Sequence, residues 1–179
     1  MSTPPVFVAN TVLTAAQLNQ VGMWLIKTQT IGSAVSSVAV TSAFSADFDN
    51  YLIKITGMTS SAAVDTTMQL TGITTGVYSY VGTAQLLGGS TVFPYQTAGA
   101  TTMPIGTMAL TQNTQINIEL SSPFLTRTKY AISDTISANL TARQGTQILS
   151  TVSSTGFTIA PASGTLTGGT IKIYGYTNG

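Results

Sequence analysis

Tyr51-Leu52-Ile53-Lys54-Ile55-Thr56, closed by Gly57, is the stretch whose reading decides the fold. Tyr51, Ile53 and Ile55 alternate with Leu52, Lys54 and Thr56, which is the two-residue period of a strand with one buried face. A helix would need its apolar residues three and four apart. The same period returns at 115–121, where Ile116, Ile118 and Leu120 alternate with Asn117, Glu119 and Ser121. It returns again at 170–176, with Ile171 and Ile173 on one side and Lys172, Tyr174 and Tyr176 on the other.

Shorter runs at 24–31, 35–40, 66–70, 77–81, 130–133, 136–143, 148–152 and 157–160 read as strands too, the last stopped by Pro161. Residues 82–107 carry Gly82, Gly88, Gly89, Gly99 and Gly106 with Pro94 and Pro104. A long loop excursion is expected there, with short strands around 85–87 and 92–95. Residues 161–169 read as a Gly/Ser/Thr turn. Eight to ten short strands, with no alternating helices to cover a parallel sheet, give an all-β chain. The expected architecture is an antiparallel β-sandwich. A jelly roll fits the strand count, and an immunoglobulin-like sandwich competes with it.

The N-terminal part reads differently. Pro4 and Pro5 exclude a helix and favour an extended backbone, and Val6, Phe7 and Val8 follow them. Residues 1–12 therefore read as an arm whose apolar run needs a neighbour or its own domain to cover it. Residues 14–22 read as one short helix: Thr14 and Gln17 form a capping box, Leu18 and Val21 share a face, and Gly22 stops it. The domain division is 1–22 for the arm and helix and 23–179 for the sandwich.

Composition narrows the chemistry. The chain has 179 residues, enough for one domain with a real core. It has no His, so it lacks the commonest general base and zinc ligand. It has no Cys, which removes disulfides and thiolate nucleophiles. Charged residues are 6%, against about 25% in an average domain. A surface of Ser, Thr, Gln, Asn and Gly suits a part packed against other subunits better than a free monomer, which surface charge keeps apart from its neighbours. Residues 23–26 are apolar, but Lys27 follows, far short of a spanning helix.

No constellation reads as an active site, and no enzyme, cofactor or metal is expected. Asp47 and Asp49, with Asp65, could share a hard cation, but they read better as a turn before the Tyr51 strand. Glu119 and Asp134 are the remaining carboxylates, and nothing in the sequence pairs them as a glycosidase requires. Hydroxyl nucleophiles would need one of four lysines as base, and no Ser-x-x-Lys occurs. Arg127 and Lys129 are the one close basic pair, too little for a nucleic-acid surface. Tyr78, Tyr80 and Tyr95 read as interface or core residues, with sugar stacking as the alternative.

Gly168-Gly169-Thr170-Ile171-Lys172-Ile173-Tyr174-Gly175-Tyr176 resembles the closing strand of small all-β structural proteins of tailed bacteriophages. Phe48-Asp49-Asn50-Tyr51-Leu52-Ile53-Lys54-Ile55 resembles their early Phe-Asp-x-Tyr strand, and residues 12–19 resemble the short helix near their start. The resemblance implies a virion part, often a jelly-roll trimer. The leading expectation is a capsid decoration (cement) protein on the head surface, bound to the major capsid protein as a homo-oligomer, without nucleic acid or membrane partners. The alternative is a tail-fibre or receptor-binding module that recognises a host glycan or surface protein. Pro4, Pro5, Val6, Phe7, Val8, Leu18, Trp24, Tyr78, Tyr80 and Tyr95 are the candidate interface residues. Deleting residues 1–12 is expected to leave the domain folded and abolish shell binding, read as occupancy on the particle.

Overall fold

The three alternating stretches lie side by side in one sheet. They are β3 (Asn50–Ser60), β8 (Thr114–Ser121) and β13 (Thr170–Tyr176) in the computed structural model, which describes residues 12, 22–109, 113–138 and 140–176. Ile53 stands between Ile118 and Ile173, and Ile55 between Ile116 and Ile171. All six isoleucines are fully buried. Each contributes on the order of 1.5–3 kcal/mol by leaving water, so these cross-strand rows form the centre of the core.

The large sheet runs β1 (Trp24–Thr30), β13, β3, β8, β9 (Lys129–Ile136), β10 (Leu140–Ile148), β5 (Tyr78–Leu86), β6 (Val92–Ala100). The short β12 (Leu166–Thr167) pairs with the far end of β3. A second sheet runs β2 (Val38–Val40), β11 (Phe157–Pro161), β4 (Val64–Leu70), β7 (Met103–Ala109). Every strand pairing is antiparallel. The sheets pack face to face: Val40, Met68, Leu70, Met103, Phe157 and Ile159 of the small sheet join Tyr51 and the six isoleucines in one apolar cluster. This is an all-β sandwich, and the described residues contain no helix. Apart from Val12 and Gly22, the arm and the helix expected at 14–22 lie outside the described residues.

Four pairings are nested along the chain: β4 with β7, β3 with β8, β2 with β11, and β1 with β13. Two hairpins interrupt this series. β5–β6 lies between β4 and β7, and β9–β10 between β8 and β11; both join the large sheet beyond β8.

The long loop expected at 82–107 is corrected: most of it is the end of β5, all of β6, and β7. Its glycines and prolines have local reasons. Gly82 leaves room for the Tyr95 ring, since a Cβ there would lie 2.5 Å from Tyr95 Cζ. Gly99, at φ +71°, sits where the β5–β6 register shifts. Pro94 and Pro104 lie on β6 and β7, the edge strands, where proline is tolerated. The run read as one strand at 136–143 is also corrected. β9 ends at Ile136 and β10 starts at Leu140, with the Ser137 N–H donating to the Leu140 carbonyl across the turn.

The segments 48–55 and 168–176 meet in space. Gly175 is opposite Tyr51, and the Phe48 ring lies against it; a Cβ on Gly175 would come 2.5 Å from Phe48 Cγ and 2.6 Å from Ile26 Cδ1. Phe48 meets Tyr51 edge-on, with ring centroids 6.2 Å apart. The Tyr51 hydroxyl accepts the Ser45 N–H at 2.8 Å and donates to the Ser45 carbonyl at 3.0 Å. Gly169, at φ +88°, lies against the bulge of β3 at Gly57, where a Cβ would meet Met58 N at 2.6 Å. Gly169→Ala therefore forces backbone apart in a conformation L residues avoid. A loss of about 1–3 kcal/mol is expected, measured as a lower urea midpoint with an unchanged m value.

Candidate docking surface

The large sheet turns one face to the small sheet and leaves the other open. On the open face β9 carries an inverted pattern. Tyr130, Ile132 and Ile136 point outward and are 53, 41 and 50% exposed. Lys129, Ala131, Ser133 and Thr135 point inward and are buried. Hydrophobicity alone would turn the bulky residues in, and a one-residue slip would do so. Two polar anchors hold the register. The buried Lys129 Nζ donates to the carbonyls of Leu125, Arg127 and Ser150 at 3.1, 2.9 and 3.0 Å. Burial pushes its pKa down. At the other end the Thr135 hydroxyl donates to the Ile105 carbonyl at 2.6 Å.

Ile132, Gly145 and Val81 stand opposite one another on β9, β10 and β5, and Val81 is 62% exposed. Gly145 has no side chain to fill the space between its neighbours. An open trough of about 830 Å³ lies there, bordered by Val81, Gln96, Ala98, Tyr130 and Ile132. The next row of the sheet holds Asp134 and Arg143, an exposed pair at 3.4 Å. In water such a pair contributes little.

The opposite face of the same strands forms a second concavity. The small sheet's edge strand β7 packs on β8, β9, β10 and β5. Beside it, Tyr80, Phe93, Tyr95, Leu86, Leu140 and Pro104 line a cleft of about 390 Å³, with Asp65 among its walls. The Tyr80 and Tyr95 rings are 6.4 Å apart and tilted by 59°. Nearby, Gln144 is buried, with its amide N–H groups donating to the Pro104 carbonyl and the Thr146 hydroxyl. Its Oε1 has no donor among the described residues.

The structure sorts the residues singled out from sequence. Pro4, Pro5, Val6, Phe7, Val8 and Leu18 lie outside the described residues. Trp24 starts β1, half-buried, with its indole N–H enclosed and no acceptor among the described residues. Tyr80 and Tyr95 come together in the cleft. Tyr78 does not join them and is corrected to a core residue. It is fully buried, its hydroxyl accepting the Leu70 N–H at 2.9 Å and donating to the Ile73 carbonyl at 3.2 Å. The acidic residues stay apart: Asp47 accepts the Ser45 hydroxyl in a turn, and Asp65 lies on β4. Among the described residues no three metal-ligating side chains converge. Glu119 and Asp134 share the open face, but Asp134 is exposed and paired to Arg143. Of the basic pair, Lys129 is spent on carbonyls and Arg127 donates to the Ser122 hydroxyl. The sequence reading missed Val81, Tyr130, Ile132 and Gly145.

Burial pushes the Tyr78 hydroxyl up to about 12. An unfolded tyrosine ionises near 10, so between about pH 10 and 12 only the unfolded state releases this proton. Stability is full below pH 10 and falls as pH rises through that window, by about 2–3 kcal/mol. Lys129 has the opposite sign, since a depressed lysine gains stability as pH rises toward its unfolded value. Comparing urea midpoints of Tyr78→Phe and the native chain at pH 9 and pH 11 isolates the tyrosine: the native chain is expected to lose more. Compared with protein-family models, curated proteins and solved structures, the chain matches none.

Proposed function

We propose that this protein is a non-enzymatic virion subunit, a decoration protein that binds the major capsid protein on the head surface as a homo-oligomer, with a trimer expected. The observation that carries the reading is the inverted strand β9. A fold that buries Lys129 and Thr135 while turning Tyr130, Ile132 and Ile136 outward holds an apolar surface ready for a partner. The scarcity of charge agrees with permanent packing against other subunits.

The nested pairings support the family resemblance. β1 with β13, β2 with β11, β3 with β8 and β4 with β7 is the nested order of a jelly roll, an architecture frequent in viral shell proteins and lectins. In this reading the β5–β6 and β9–β10 hairpins are insertions, and together they carry the open trough. A mechanical role follows: each contact adds buried apolar area, and the sum resists separation of shell subunits.

A second reading, a tail-fibre or receptor-binding module, is favoured by the cleft of Tyr80, Phe93 and Tyr95 with Asp65. Apolar ring faces beside polar acceptors suit a sugar.

Val81→Asp and Ile132→Asp alter side chains outside the main core, so both variants are expected to stay folded, read by circular dichroism. Each is expected to reduce occupancy on undecorated shells by about tenfold or more, as loss of an interface anchor does, measured by cosedimentation. Immunogold label spread over the head supports the decoration reading. Label confined to the tail, with Tyr95-dependent glycan binding, moves the assignment to the second.

A further inference from the structure

Gly145 lies mid-strand in β10, where glycine is a poor strand former. Other strand glycines are explained from within: Gly82 by the Tyr95 ring, Gly175 by Phe48 and Ile26. A Cβ on Gly145 would meet nothing within 4 Å, and its backbone is outside the left-handed region. Neither packing nor conformation asks for glycine here. What its missing side chain provides is depth in the trough between Ile132 and Val81. A strand glycine of this kind marks close approach by another group.

The chemistry of the trough limits what approaches. Its border is Val81, Ala98, Tyr130 and Ile132 with the neutral Ser79, Gln96 and Gln147, and the Asp134–Arg143 pair stands in the next row. An uncharged occupant fits, with an apolar side chain that reaches the glycine between Val81 and Ile132. Residues 1–21 contain no charged side chain, and their apolar run is Val6-Phe7-Val8 behind two prolines. The length suffices. β10 lies five places from β1 in the sheet order, about 24 Å at normal strand spacing. With residues 14–22 helical as the sequence predicts, the chain between Val8 and Gly22 spans about 32 Å.

We infer that the N-terminal segment docks in the Gly145 trough, with Phe7 over the glycine. This deepens the assembly reading, because a segment inserted into a neighbouring copy links subunits. The tests use purified full-length protein without shells, so their failure would leave the shell-binding reading standing.

Gly145→Val has space for its side chain and favours a strand. In a Phe7→Ser background it is expected to leave the melting temperature unchanged or raise it by about 2 °C. In the native background the same change blocks the trough, and a drop is expected. An equal shift in both backgrounds overturns the inference. The chain has no cysteine, so the double variant Phe7→Cys/Val81→Cys reports proximity directly. Oxidation is expected to give a disulfide, within one chain if a copy fills its own trough and between chains if copies exchange segments; either result supports docking. The control pairs Phe7→Cys with Ala39→Cys, an exposed position on β2 of the small sheet. Linkage no greater than in this control overturns the inference.

Discussion

The fit of β13 between β1 and β3 is the constraint on which the rest of the structure depends. It is a contact of backbone as much as of side chains. Gly169 lies on the bulge at Gly57, and Gly175 lies under Phe48 and Ile26. With these contacts made, Ile171 and Ile173 stand level with Ile55 and Ile53, and the central rows of the core close. A methyl group at Gly169 would press on the backbone of β3, and one at Gly175 would displace the Phe48 ring and Ile26. The 168–176 run is thus a packing device: its glycines seat the closing strand, and its Ile-x-Ile fills the core.

How much of this could be read from the chain follows from where the partners lie. Tyr51–Thr56 was legible because its neighbours on both sides repeat its own alternation. Residues 82–107 were not, because glycine and proline punctuate loops and also serve bulges, edges and aromatic stacking. Only the partner strand distinguishes these uses: Tyr95 explains Gly82, and the β5–β6 register explains Gly99. The turn after Ile136 was hidden because the alternation runs through it. Tyr80 and Tyr95 were recognisable as surface candidates, but nothing local separates them from Tyr78, which lies on the same strand as Tyr80. The face of β9 was illegible for a stronger reason. Its orientation is set by Lys129 and Thr135 bonding to carbonyls distant in sequence, against the preference of Tyr130, Ile132 and Ile136.

The two hairpins that interrupt the nested pairing give the molecule a division of labour. The β1–β13–β3–β8 part of the large sheet and the whole small sheet enclose most of the main core, to which the hairpins add Tyr78, Ala131 and Ile148. The hairpins widen the large sheet and present concave surfaces on both sides, with a small separate cluster of Ala84, Leu140 and Ala142 beneath Tyr95. Change among the outward side chains of the hairpins, such as Val81, Tyr130 and Ile132, leaves the isoleucine rows untouched. Such a scaffold can alter what it touches without altering how it folds.

The nested order also sets when the sheet can be completed. The hairpins and the β8–β9–β10 meander join near neighbours and can form while synthesis proceeds. β1 must wait for β13, which emerges nearly the whole chain later. Closing so long a loop is entropically costly and makes non-local β pairing slow. Until then the Ile53 and Ile55 row lacks one of its two neighbours and the β1 side of β3 is open. The interval between emergence of β3 and arrival of β13 is when this chain is most exposed to wrong strand partners.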